Sequence, residues 1–148
     1  MSSPKLSTGL IIALAATGLF LSLVTAGIIA TQNIASNGTV TSVNVDVYSN
    51  ENCDQNCTSI SWGSIYPGNS TSQTIYVKNT GAVPITLSMA ADSWAPTDAS
   101  ECLTLTWNPQ DDTLNPGQST PATLTLTVAQ DTGDLTAFNF NIIITGAE

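Results

Sequence analysis

From Thr39 to the C-terminus, apolar and polar residues alternate with a period of two, not the 3.6 of a helix. Val43, Val45 and Val47 are interleaved with Asn44, Asp46 and Tyr48. Ile60 and Trp62 flank Ser61, and Ile75 and Val77 flank Tyr76. Ile85, Leu87 and Met89 alternate with Thr86, Ser88 and Ala90, and Leu103, Leu105 and Trp107 with Thr104 and Thr106. Leu124, Leu126 and Val128 alternate with Thr125 and Thr127, and Phe138, Phe140, Ile142 and Ile144 with Asn139, Asn141 and Ile143. Each run has one face for a core and one for water, the signature of antiparallel sheets. Threonine on the wet face suits the pleat because it is β-branched. Between the runs stand turn formers: Pro67-Gly68-Asn69, Asn79-Thr80-Gly81, Asn108-Pro109, Asn115-Pro116-Gly117 and Asp131-Thr132-Gly133. The spacing predicts seven short strands and an all-β, jelly-roll-like β-sandwich over residues 39–148.

The pattern breaks at the N-terminus. Leu10 to Ala30 carry no charge, and Lys5 with the α-amine supplies a positive region ahead of them. This run is long enough to cross a bilayer, yet Val24-Thr25-Ala26 places small residues where a signal peptidase cuts. Residues 1–26 are therefore expected to be a secretory signal peptide, with an uncleaved membrane anchor as the alternative. Residues 27–38 then form an N-terminal donor strand or linker. A cut after Thr8-Gly9, as in archaeal type IV pilins, lacks the basic residue that usually precedes such a site.

Composition narrows the function. Two Lys, no Arg, no His and eleven acidic residues give a net charge of −9, so no basic surface exists for nucleic acid. Without histidine the commonest general base and metal ligand are absent, and Ser or Cys nucleophiles have no imidazole partner. The adjacent Asp111 and Asp112 sit in a loop marked by Asn108-Pro109 and are expected simply to be solvated. No enzyme activity, cofactor or metal is expected. Lys78, the one lysine after residue 26, shares the wet face with Tyr76 and reads as a solubilising charge. Three N-x-S/T sequons, at Asn37, Asn56 and Asn69, lie beside expected turns and make N-glycans candidate partners. Of three cysteines, Cys57 and Cys102 each stand five residues before a tryptophan (Trp62, Trp107), which would set them level on neighbouring strands. A Cys57–Cys102 disulfide is expected, with Cys53–Cys57 as the competing loop closure.

The segment Ile34-Ala35-Ser36-Asn37-Gly38-Thr39-Val40, a valine-rich strand, the corner Ile65-Tyr66-Pro67-Gly68-Asn69-Ser70, the strand Ile75-Tyr76-Val77-Lys78 ending in Asn79-Thr80-Gly81, and then Val83-Pro84-Ile85-Thr86-Leu87 follow one another in this order. Together they resemble the opening of the TasA/camelysin-type secreted β-domains, most of all the subunits of archaeal threads and bundling pili. The resemblance implies a jelly-roll subunit that polymerises outside the cell and lends its N-terminal segment to a neighbour. The residues point the same way. Seven strands leave an open edge, and Gly27, Ile28, Ile29, Ala30, Thr31 and Ile34 are apolar or uncharged with no obvious place as coil in water. As an added strand in the next subunit they would satisfy both deficits, and such a head-to-tail contact propagates into a filament. The expected protein is thus an extracellular, cell-surface homopolymer serving adhesion or a biofilm, in contact with membrane only through its signal segment. A membrane-anchored monomeric binding domain, or a type IV pilin-like subunit with an N-terminal core helix, are the alternatives. The cleavage reading predicts Gly27 at the native N-terminus; intact mass or Edman sequencing that finds Leu10 or Met1 there contradicts it.

Overall fold

The computed structural model describes residues 34–148, and over them the protein is an all-β sandwich. Its strands are β1 (Ile34–Val43), β2 (Asp46–Tyr48), β3 (Ser59–Ile65), β4 (Ser70–Lys78), β5 (Ile85–Ala95), β6 (Leu103–Trp107), β7 (Thr113–Leu114), β8 (Ser119–Val128) and β9 (Ala137–Ala147). A single turn of helix, α1 (Ala99–Cys102), leads into β6. One sheet has the order β3-β1-β9-β5-β7 and the other β2-β4-β8-β6. Odd-numbered strands thus make one layer and even-numbered strands the other, so every connection crosses the core and no two consecutive strands pair.

The two-residue period does what it must. Phe138, Phe140, Ile142 and Ile144 of β9 point inward against Ala122, Leu124, Leu126 and Val128 of β8, all of them buried. Burying such side chains contributes about 1.5–3 kcal/mol each. The outer face of the four-stranded sheet is a field of hydroxyls. Ser72 and Thr125 share a hydrogen bond of 2.8 Å, Thr74 and Thr123 one of 3.5 Å, and the Thr106 hydroxyl donates to the Thr125 carbonyl at 3.4 Å.

Nine strands replace the expected seven, for local reasons. The valine-rich run 43–47 does not stay one strand. Asn44 adopts φ 59°, a left-handed conformation that asparagine tolerates, and the chain turns there from one sheet into the other. The described residues before the turn, Ile34–Val43, form β1, so the boundary expected between residues 38 and 39 falls inside a strand. β7 is the other addition. It pairs Leu114 with Ile85 and Thr113 with Thr86, and Asn79 holds it in place. That fully buried side chain donates to the carbonyls of Leu114 (2.9 Å) and Val83 (2.8 Å) and accepts from the Gly81 amide at 2.9 Å. The Asn79-Thr80-Gly81 turn is therefore also a clamp. Asn79→Ala strips the partners from two carbonyls and an amide, and the midpoint of urea unfolding should fall by the equivalent of about 2–4 kcal/mol.

Candidate functional site

No catalytic constellation was expected, so the site of interest is where the chain could join a second chain: strands that are missing, misplaced or loosely held. β1 stands out. It lies inside the five-stranded sheet, antiparallel to β3 on one side and parallel to β9 on the other. This is the one parallel pairing among the described residues; the other named strand pairs are antiparallel. Its partner β9 is the last strand of the chain, with Ala35 level with Ala137 and Val43 with Thr145.

The slot that receives β1 is shaped by a bulge in β3. Ser36 faces Gly63 and Asn37 faces Ser61, leaving Trp62 as an extra residue. Gly63 takes φ 71°, as bulges that need a left-handed residue require. The shift changes the phase of β3, so Ile60, Trp62 and Ile65 all point inward. The Trp62 indole then lies over the backbone of Gly38. A Cβ at residue 38 would stand 3.2 Å from Trp62 Nε1 and 3.1 Å from Ile142 Cδ1. Beyond Gly38 the aromatic contact continues: Trp62 stacks with Phe140 (centroids 6.3 Å apart), and Phe140 with Trp94 (4.2 Å) and Phe138 (5.9 Å). Between Ser36 and Ser42, β1 brings little to this core. From Ser36 to Ser42 the one sizeable inward side chain is Val40. Among the described residues two buried polar atoms lack hydrogen-bond partners, the Ser36 hydroxyl and Trp62 Nε1, and both border β1.

The far side of the sandwich is looser. Met89, Ala91 and Trp94 of β5 and Leu105 and Trp107 of β6 pack on the core but stay half-buried. β7 covers only the first two residues of β5. On the opposite side, between β3 and β4, Gln73 donates to the Ser61 carbonyl at 3.3 Å and closes the gap over a cavity of ≈ 190 Å³ that includes Cys57, Ile60 and Ile75.

The structure distributes the expected site residues unevenly. Of the donor residues, Gly27, Ile28, Ile29, Ala30 and Thr31 lie outside the described residues, as does the signal segment. Ile34 opens β1, level with Ile65 of its own chain. Asn56 and Asn69 are exposed in a loop and a turn, as expected. Asn37 is exposed too, but on a strand, between Ser61 and Asn139, rather than beside a turn. The expected disulfide does not form, and Cys53, Cys57 and Cys102 are free thiols. Trp62 and Trp107 lie in different sheets, so equal spacing from them does not bring the cysteines together. The Cys57 amide bonds to Val47 of β2, whereas Cys102 adjoins β6 at the other edge of that sheet. Three strand spacings, about 14 Å, exceed the reach of a disulfide. Cys53 and Cys57 in turn direct their thiols at different carbonyls, those of Glu51 (3.6 Å) and Ser59 (3.7 Å).

Burial pushes the Cys57 thiol above its ordinary value, which lowers its thiolate fraction near neutral pH and with it the rate at which it reacts. Three thiols per chain should therefore react with Ellman's reagent in denaturant without reductant, and in the folded protein Cys57 should react more slowly than it does once unfolded; a count of one thiol would reveal a bridge. Compared with models of known protein families and with curated protein sequences, the chain matches none.

Proposed function

We propose that the protein is the structural subunit of an extracellular filament, assembled head to tail by a strand that the N-terminal region of each copy donates to the next. The observation that carries this reading is the position of β1. The sandwich is completed by an N-terminal strand seated between β3 and the C-terminal strand β9, in the one parallel pairing of the described residues. Without that strand, β3 and β9 would each present a row of unpaired amides and carbonyls over an apolar interior. A slot of this kind accepts a strand from its own chain or from another by the same main-chain hydrogen bonds. Insertion from another copy is a heterologous contact and propagates.

The remaining features are compatible with life outside the cell. Sequons stand on exposed positions at Asn37, Asn56 and Asn69, and the uncharged run Leu10 to Ala30 supplies an export signal. Adhesion or a biofilm matrix is the role that suits such a polymer. The rival reading, a membrane-anchored monomer, draws on the same strand, because β1 completes the sandwich of its own chain.

Electron microscopy of the native protein separates the two. Filaments are expected from the full chain, and a chain deleted from Gly27 to Val43 should form none. A synthetic peptide of residues 34–43, added to that truncated chain, should bind it and restore its stability. Native protein that stays monomeric at every concentration, or truncated protein that still polymerises, contradicts the proposal.

A further inference from the structure

We infer that the uncovered edge of β6 is a docking site for a short extended segment of another protein, one with apolar residues at alternate positions and a Lys or Arg at each end. The site is independent of how β1 is seated, because β6 ends the other sheet, beyond β4 and β8. The main chain decides which groups are free. The Ala129 amide bonds to the Cys102 carbonyl, and Thr104 and Thr106 lie level with Thr127 and Thr125. In an antiparallel pair, alternate residues turn both N–H and C=O toward the same neighbour. Cys102, Thr104 and Thr106 therefore face β8. Leu103, Leu105 and Trp107 turn their amides and carbonyls outward, where no strand covers them among the described residues.

This edge lacks the devices that keep edges single. Leu103-Thr104-Leu105-Thr106-Trp107 contains no charge, proline or glycine, and its pairing with β8 has no bulge. The opposite side of the sandwich has such devices: Lys78 of β4 stands level with Asp46 of β2, and Gln73 spans the gap to β3. Behind the β6 edge, Leu105 and Trp107 are half-buried, as are Met89 and Trp94 of β5. A strand laid here covers apolar surface as well as completing a ladder. The three sequons lie elsewhere, Asn37 on β1, Asn56 ahead of β3 and Asn69 ahead of β4, so no glycan on them stands along this edge.

Charge selects the occupant. Trp107 Nε1 donates to Gln110 Oε1 at 2.8 Å, and Gln110 Nε2 to Asp111 Oδ1 at 3.0 Å. This relay ties one carboxylate to the last residue of β6, and Asp112 follows it. At the other end α1 runs straight into β6 and carries Glu101, with Asp98 before it. All four acids are exposed, and no Lys or Arg follows Lys78 in the sequence. A second copy pairing edge to edge would set carboxylates against carboxylates. A strand with a cation at each end is complementary instead, and the Trp107 ring offers one of those cations a π face. The five residues of β6 span about 17 Å, which places the two cations about six residues apart.

Amide hydrogen exchange on the full chain, read residue by residue, tests the site, with the synthetic peptide Lys-Val-Thr-Val-Thr-Val-Lys as probe. In the free protein the Leu103, Leu105 and Trp107 amides should exchange fast. Saturating peptide should slow these three and leave Thr104 and Thr106 unchanged. A peptide with Glu for both Lys, or with Ser for all three Val, should protect none of them. Asp111→Asn combined with Glu101→Gln should weaken binding about five- to tenfold, the worth of two exposed ion pairs. That variant should unfold as the parent does, since asparagine tolerates the φ of 64° at residue 111 and can still accept from Gln110. Leu105→Pro removes a donor that faces away from β8 and should abolish binding. Equal protection by the Glu or Ser peptide, full affinity in the doubly neutral variant, binding that survives Leu105→Pro, or no protection by any peptide overturns the inference. Slow exchange of the three amides without peptide, lost on dilution, identifies a second copy as the occupant and overturns it as well.

Discussion

The contact between the Trp62 indole and the bare backbone of Gly38 decides how the five-stranded sheet is built. Trp62 points inward with Ile60 by ordinary alternation, and the bulge that Gly63 permits is what brings Ile65 back to the core face after two exposed residues. A Cβ at residue 38 would crowd the indole and Ile142, and both would have to shift by a few tenths of an ångström to admit it. Glycine there lets β1 approach closely enough to pair on both sides, and the aromatic series from Trp62 through Phe140 to Trp94 then spans the interior from β3 to β5. The arrangement leaves Trp62 Nε1 without an acceptor. A buried unpaired donor costs about 1–3 kcal/mol, which ring packing of this extent can offset.

Alternation of successive strands between the two sheets gives the fold a particular character. Among the described residues no two consecutive named strands pair, and the one local antiparallel contact is the short return of residues 55–57 onto β2; β1 and β9 stand at opposite ends of the described chain. Ordering such a topology requires long loops to close before any pairing rewards them. The chain is stabilised after the fact by clamps such as Asn79, which ties the end of β4 to β7 across the core.

Much of the sandwich was legible in the alternation of residues. β3, β4, β5, β6, β8 and β9 coincide with runs such as Leu124-Thr125-Leu126 and Phe138-Asn139-Phe140, because one buried and one solvated face impose a period of two. β1 was not legible as a strand of its own sheet. Its stretch Ser36-Asn37-Gly38-Thr39 has no apolar alternation, since the inward positions are filled by Trp62 from the neighbouring strand rather than by side chains of β1. The split at Asn44 hides inside an unbroken valine pattern, because a single left-handed residue leaves no trace in hydrophobicity. β7, with two residues, is below the length at which a period can be counted. The cysteine pairing failed for a topological reason: equal distance from a tryptophan says nothing of which sheet each tryptophan enters. The bulge did leave a signal, Gly63 directly after Trp62, but its meaning depends on the glycine of another strand.

The hydroxyl-lined face of the four-stranded sheet differs from the usual protein surface in what wets it. Nine of the eleven carboxylates lie outside the strands, in loops, in the helical turn or at the C-terminus, and rows such as Ser72, Thr125 and Thr106 carry no charge at all. Carboxylates surrender their charge, and with it much of their hydration, as acidity rises. Serine and threonine hydroxyls do not titrate. Away from the Asp46–Lys78 pair where β2 meets β4, the water layer over this face is accordingly held by groups that acid does not discharge and salt does not screen.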